Sequence, residues 1–220
     1  MQHQHAIIFD CDGTLTDSLD NALDSFHFAV RRMNAQHITS EDIQQYFGIA
    51  ADKILFQLMD KDPVKAHQAF EYFLEHQQSL ASSTRLFDGV SELLKQLRDS
   101  EIPLGMVTGR HSRDLHIMLD AHNMQPHFNI LVSDDQVSFP KPNPEGIFKA
   151  AKHLGIQPQN TLYIGDSPSD VEAAHNAGST AIAVVWDSHA NREALLAKNP
   201  KYLIEDPQEI WSIFKAFSQK

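Results

Sequence analysis

Five short apolar runs, separated by stretches of helical periodicity, constrain this chain more than any other feature. They are Ala6–Phe9, Leu104–Val107, Ile130–Val132, residues 162–164 and residues 181–185. Each run is continuous rather than alternating, the pattern of a strand covered on both faces. The segments between the later runs have helical spacing. "GVSELLKQLRDS" places Val90, Leu93, Leu94 and Leu97 on one stripe. "PEGIFKAAKHLG" starts at Pro144 and stops at Gly155, while "SPSDVEAAHNAG" offers Ser167 as a cap, Pro168 in the first turn and Gly178 as a stop. A proline start and a glycine stop follow from the groups left unpaired at helix ends. Strands alternating with helices predict an α/β fold, a doubly wound parallel sheet.

Residues 18–85 break that rhythm. Leu19, Leu23, Phe26, Val30 and Met33 follow helical spacing, a second helix is expected from Thr39 or Ser40 to Gly48, and a third carries Ile54, Leu55, Leu58 and Met59. Pro63 opens a fourth, with Ala66, Ala69, Phe70, Phe73 and Leu74. The expected organisation is therefore a Rossmann-like core of residues 1–17 and 86–220, with a helical cap of residues 18–85 inserted after the first strand. Hinges are expected near residues 17–19 and 82–86.

A chain of 220 residues is long enough for a full core plus a smaller insertion. Its net charge of -11 argues against partners such as nucleic acid or an anionic membrane surface. It does not exclude an anionic substrate, because a metal ion or a lysine reverses the sign within one pocket. The single cysteine, Cys11, excludes an intrachain disulfide and fits a reducing compartment. The opening "MQHQHAIIFD" lacks the basic and apolar segments of a signal peptide, and no apolar run is long enough to span a bilayer. The expectation is a cytoplasmic monomer or dimer. The thirteen histidines are scattered, with no pair at a metal-binding spacing beside a third ligand.

In parallel sheets, ligands bind outside the carboxyl ends of the strands. At those ends this sequence places Asp10 and Asp12, then Thr108 and Gly109, then Lys141 in a loop, then Gly165, Asp166 and Asp170. Acids, a hydroxyl, a lysine and glycines thus converge on one edge. Asp10 and Asp12 are separated by one residue, and like charges that close raise the cost of ionising one of them.

"DCDGTLTDS", "VTGR", "KPNP" and "GDSPSD", in this order and each after an expected strand, resemble the four motifs of the haloacid dehalogenase superfamily, specifically its aspartate-nucleophile phosphatases with a helical cap. "LFDGVSELLKQL" and "AAHNAG" are similar to the phosphoglycolate phosphatase group within it. The resemblance implies that Asp10 is the nucleophile and that Asp12 is the general acid, then the base, meeting substrate protonated. It implies Mg2+ held by Asp10, the Asp12 carbonyl and Asp166, with Asp170 close by, directly or through water. Thr108 and the Gly109 N–H would hold phosphate oxygens, and Lys141 would neutralise nucleophile and phosphate. "GIAADK", residues 48–53, looks like a cap loop facing the catalytic edge, which makes Lys53, with Arg110, a candidate for touching substrate. The implied function is hydrolysis of a small phosphorylated metabolite, 2-phosphoglycolate first. The alternatives are a hexose-phosphate mutase, disfavoured by "IGDS" and by Ala51 where a cap arginine is expected, and a non-catalytic binding protein, disfavoured because every chemical residue is present.

Overall fold

The computed structural model describes residues 4–219; residues 1–3, which open the stretch read above for a signal peptide, and residue 220 lie outside it. β1 (Ala6–Phe9) leads through a turn to the short β2 (Thr16–Asp17). Four helices follow, α1 (Leu19–Arg32), α2 (Ser40–Gln44), α3 (Ala51–Leu58) and α4 (Pro63–Leu80), and the chain returns through β3 (Arg85–Leu86). It then alternates through α5 (Val90–Asp99), β4 (Leu104–Val107), α6 (Ser112–Ala121), β5 (Ile130–Val132), α7 (Glu145–Leu154), β6 (Thr161–Gly165), α8 (Pro168–Ala177), β7 (Thr180–Val184), α9 (Arg192–Leu196), β8 (Tyr202–Ile204) and α10 (Glu209–Phe217).

Six strands pair in parallel in the order β5-β4-β1-β6-β7-β8. β1 lies inside the sheet, and successive strands are added to either side of it. Its neighbours register Phe9 against Met106 and against Ile164, so the loops after β1, β4 and β6 open side by side. The continuous apolar run of β1 has a simple cause. Ile7 and Phe9 pack on one face with Leu93, Leu94 and Leu97 of α5, and Ile8 packs on the other with Ile147 of α7 and Val171 of α8. All four β1 side chains are fully buried.

The helix boundaries follow local chemistry. Ser167 caps α8 and accepts the Asp170 N–H, and Gly178 ends that helix at φ 75°. Asp62 accepts the Val64 and Lys65 N–H groups ahead of α4, with Pro63 at its first position. The second helix is shorter than expected and ends at Gln44, leaving Phe47 to Ile49 as a loop with Gly48 at φ 110°.

The four helices between β2 and β3 gather their own apolar cluster around Phe26, Ile43, Leu55, Phe70 and Phe73. Both connections to the core run through the β2–β3 ladder, with Thr16 opposite Leu86 and Asp17 opposite Arg85. Further contacts tie this cap to the core. Arg113 of α6 donates to Glu71 of α4, 2.9 Å for one pair of atoms, and Lys53 donates to Asp134 of the segment after β5. No described helix is long and apolar enough to cross a membrane.

Candidate active site

The β1 ladder carries one residue beyond its end: the Asp10 N–H donates to the Ile164 carbonyl at 2.8 Å. This fixes the Asp10 carboxylate at the mouth of the β1–β6 crevice. The chain must then turn at once, and Gly13 takes φ 70°. A Cβ there would lie 2.2 Å from an Asp166 carboxylate oxygen, so glycine is required by space as well as by backbone. Thr14, the next residue, donates to Asp166 at 2.9 Å.

The Lys141 side chain, 9% exposed, lies between two acids, 2.8 Å from Asp10 Oδ2 and 2.6 Å from Asp170 Oδ1. The Tyr163 hydroxyl lies 3.1 Å from the same Asp170 oxygen, and Ser167 donates to the other through its hydroxyl at 2.6 Å and its N–H at 3.1 Å. Asp170 is thus both the third residue of the α8 capping box and the anchor of Lys141. Its oxygens are already occupied, whereas Asp10 Oδ1 is buried with no partner.

Asp10, Asp166 and Asp170 bring carboxylate oxygens within 4.8 Å of one another. Lys141 is the cation among them, so the cluster is short of positive charge. Burial, then the charge of Asp170, push Asp10 up to about 7 in spite of Lys141. Burial and the charges of Asp170 and Asp10 also hold Asp166 well above the usual carboxylate range. A hard divalent cation fits this donor set, since oxygen ligands suit Mg2+ and the orphaned Asp10 oxygen is available to it. Asp10 and Asp166 would hold it, with the Asp12 carbonyl at the adjoining turn.

Asp12 differs from its expectation. Crowding by Asp10 is expected to raise it, and burial does push it up. The Arg110 guanidinium more than offsets this, with help from the Ser18 hydroxyl, and holds Asp12 below the usual carboxylate range. Arg110 Nε lies 2.9 Å from both Asp12 oxygens and Nη2 lies 2.6 Å from one, while Nη1 donates to Asp114 at 2.8 Å. Arg110, read from the sequence as a possible substrate contact, is 6% exposed and committed to these two carboxylates.

Asp114 is the residue that the sequence reading missed. Burial pushes it up to about 6 even beside Arg110, and its second oxygen has no partner. The available signal was its place in the first turn of α6, only four residues after Arg110.

Thr108 is buried, its hydroxyl accepting the Arg110 N–H at 3.2 Å. Gly109 touches the cap: a Cβ on it would lie 3.1 Å from the Gly48 carbonyl, so the 48–53 loop does lie over this edge. Lys53, from that loop, points instead to the fully buried carboxylate of Asp134. Cys11 is fully buried, and burial pushes its thiol far above the ordinary range, so it behaves as a small apolar residue.

A parallel sheet thus presents an acid cluster and a lysine beneath a helical cap, an α/β fold with its charged groups gathered at the carboxyl ends of the strands. The chain belongs to the haloacid dehalogenase-like hydrolase family, whose profile matches residues 7–184. It is 29% identical to pyrophosphatase PpaX of Oceanobacillus iheyensis over 209 residues, covering 94% of this chain and 95% of that one. It is 25% identical to a phosphoglycolate phosphatase of Xanthomonas campestris, covering 96% of both. A crystal structure of a hydrolase from Pseudomonas syringae shares the fold, with a TM-score of 0.79, 24% identity, and coverage of 95% of this chain and 97% of that one.

A cation held by this acid cluster would make stability and pH interdependent. In chelator, Asp10 is protonated more readily in the folded than in the unfolded chain, because its pKa rises from 3.8 to about 7. The folded state then holds the extra proton, so this group lowers stability progressively from about pH 4 to pH 7. Mg2+ should therefore raise Tm more at pH 8 than at pH 5. At 100 times its dissociation constant the gain is about 2.7 kcal/mol, roughly 5–11 °C for a domain this size. Thermal melts with and without chelator check this, and a Mg2+ effect independent of pH would count against the cluster as its site.

Proposed function

We propose that this chain is a Mg2+-dependent phosphatase that hydrolyses a small phosphorylated metabolite through an aspartyl phosphate on Asp10. The observation that carries the reading is the state of Asp10. It stands at the strand end with one oxygen held by Lys141 and the other uncommitted, inside an acid cluster short of positive charge. Membership of a hydrolase family with phosphatase relatives supports the same conclusion.

An oxygen of Asp10 attacks phosphorus, the bond to the leaving oxygen breaks, and that oxygen takes a proton from Asp12. Water then attacks the phosphorus of the aspartyl phosphate, gives its proton to Asp12, and releases phosphate and Asp10. Covalent catalysis of this kind divides one difficult displacement into two. Arg110 holds Asp12 as the carboxylate that the second step needs. A phosphoryl dianion brought beside Asp12 favours the protonated form that the first step needs. Lys141 offsets charge on Asp10 and on the phosphoryl oxygens as a fixed point charge. Thr108 and the Gly109 N–H orient those oxygens. Bound Mg2+ would supply further neutralisation of the phosphoryl oxygens. Residues 18–85 act as the cap that excludes water from the phosphoryl step.

The hexose-phosphate mutase reading gains nothing from the site, since Ala51 stands on the cavity wall where a phosphate-binding cap cation is needed. With 4-nitrophenyl phosphate as substrate, Mg2+ should support hydrolysis, excess chelator should abolish it, and Ca2+ should restore it poorly because its looser coordination leaves the attack misaligned. Full turnover in chelator would overturn the metal-dependent reading.

A further inference from the structure

We infer that the leaving group accepted by this site is uncharged and largely apolar: the substrate is the phosphate monoester of an apolar alcohol or phenol, without a second phosphate or a carboxylate. This rests on the phosphatase reading of the same site and names its substrate class.

A cavity of about 510 Å³ lies between the catalytic edge and the cap, within the size range of small-molecule sites. Leu19, Phe26, Phe47, Ile49, Ile54 and Phe73 form its cap wall, and no ionisable cap side chain lines it among the described residues. Phe26, Ile54 and Phe73 belong to the cap's own core, which therefore continues into the cavity lining. Phe47 and Ile49, from the loop over Gly109, are only partly buried and complete the apolar wall at the entrance to the phosphoryl site.

The cations around the cavity are already matched. Lys141 lies between Asp10 and Asp170, Arg110 between Asp12 and Asp114, and Lys198 at the rim pairs with Glu172. Lys53, the cation of the cap loop, is drawn away to Asp134 and is absent from the lining. A carboxylate or second phosphate on the leaving group would enter an apolar wall with no free partner, near a surplus of acids. A buried charge without a partner is strongly disfavoured, whereas each methylene removed from water is favourable. The phosphoryl end alone meets neutralising groups. The inference departs from the expectation of 2-phosphoglycolate, whose leaving group carries a carboxylate.

The test uses the full chain with Mg2+ and two esters that share a primary alkoxide leaving group, hexyl phosphate and 6-(phosphonooxy)hexanoate, with pyrophosphate beside them. Hexyl phosphate should exceed both others in kcat/KM by roughly 30-fold or more. Among butyl, pentyl and hexyl phosphates, kcat/KM should rise roughly fourfold per methylene. Ile49→Lys, which places a cation on the partly buried cap loop, should narrow the preference for hexyl phosphate by at least about tenfold. Equal or better turnover of the carboxylate ester or of pyrophosphate by the unaltered chain would overturn the inference and leave the phosphatase reading intact. If no ester is hydrolysed, the phosphatase reading falls, and calorimetry with hexylphosphonate and 6-phosphonohexanoate decides the inference separately. Tighter binding of the uncharged tail upholds it, and equal or tighter binding of the carboxylate overturns it.

Discussion

Asp10→Asn should lower phosphate release by about 10⁴–10⁶-fold, the scale on which enzymes lose rate when a nucleophile is removed. It should also abolish covalent labelling while the fold survives. The structure separates this loss of chemistry from a loss of stability. Asn is nearly isosteric with Asp and carries no charge, so it removes repulsion with Asp170. Burial and Asp170 make the Asp10 carboxylate costly above about pH 7 in chelator, so the variant should melt at or above the unaltered chain at pH 8. Asp12→Asn should behave differently. It keeps the nucleophile and loses the proton carrier, a group typically worth ~10²–10⁴-fold. With 4-nitrophenyl phosphate, whose leaving oxygen needs no proton, it should release a burst of nitrophenol and accumulate phosphoenzyme. Rapid mixing and mass spectrometry of the quenched protein check both. Label on any residue other than Asp10 would undo the nucleophile assignment, and equal, burst-free loss in both variants would undo the division of roles.

The convergence of Asp10, Lys141, Asp166 and Asp170 was legible in the sequence because strand ends in a parallel sheet are fixed in space by topology. An apolar run followed by an acid says where that acid will stand. The edge strand β8 was not legible, since three partly covered residues, Tyr202, Leu203 and Ile204, make too short a run to separate from a loop. Helix α6 was also missed, because its buried Leu115, Met118 and Leu119 are interleaved with polar residues. The charge state of Asp12 lay further out of reach. Asp10 is two residues away in sequence, but Arg110, 98 residues away, determines the outcome. Lys53 shows the same limit: its position over the edge followed from the loop, but its partner Asp134 lies 81 residues on. Local sequence gives charges their positions along an edge, while pairing across the fold determines which remain free.

Arg110→Met should be the most destabilising single change in the site. The methionine fills part of the buried volume but leaves Asp12 and Asp114 without their shared cation. Breaking a buried pair by removing one partner costs about 3–5 kcal/mol, roughly 6–20 °C in Tm at this chain length. The pH dependence identifies the cause. In the unaltered chain Asp12 lies below its ordinary pKa, so it contributes stability above about pH 4 that is lost as the pH falls. Without Arg110, burial is opposed only by the Ser18 hydroxyl and the charge of Lys141, so the Asp12 pKa moves upward and the stability it contributes at higher pH shrinks. The Tm deficit of the variant should therefore be small near pH 4–5 and largest near pH 8. Arg110→Lys keeps one charge but cannot reach both acids with a planar fork, and should recover only part of the loss. Adding Asp114→Asn to Arg110→Met removes one orphaned carboxylate and should restore part of the Tm at pH 8. It should not restore turnover, because Asp12 still lacks the guanidinium that holds it in place and favours its carboxylate. A Tm deficit that is the same at pH 5 and pH 8, and unchanged by Asp114→Asn, would mean that Arg110 matters through packing rather than through the two carboxylates.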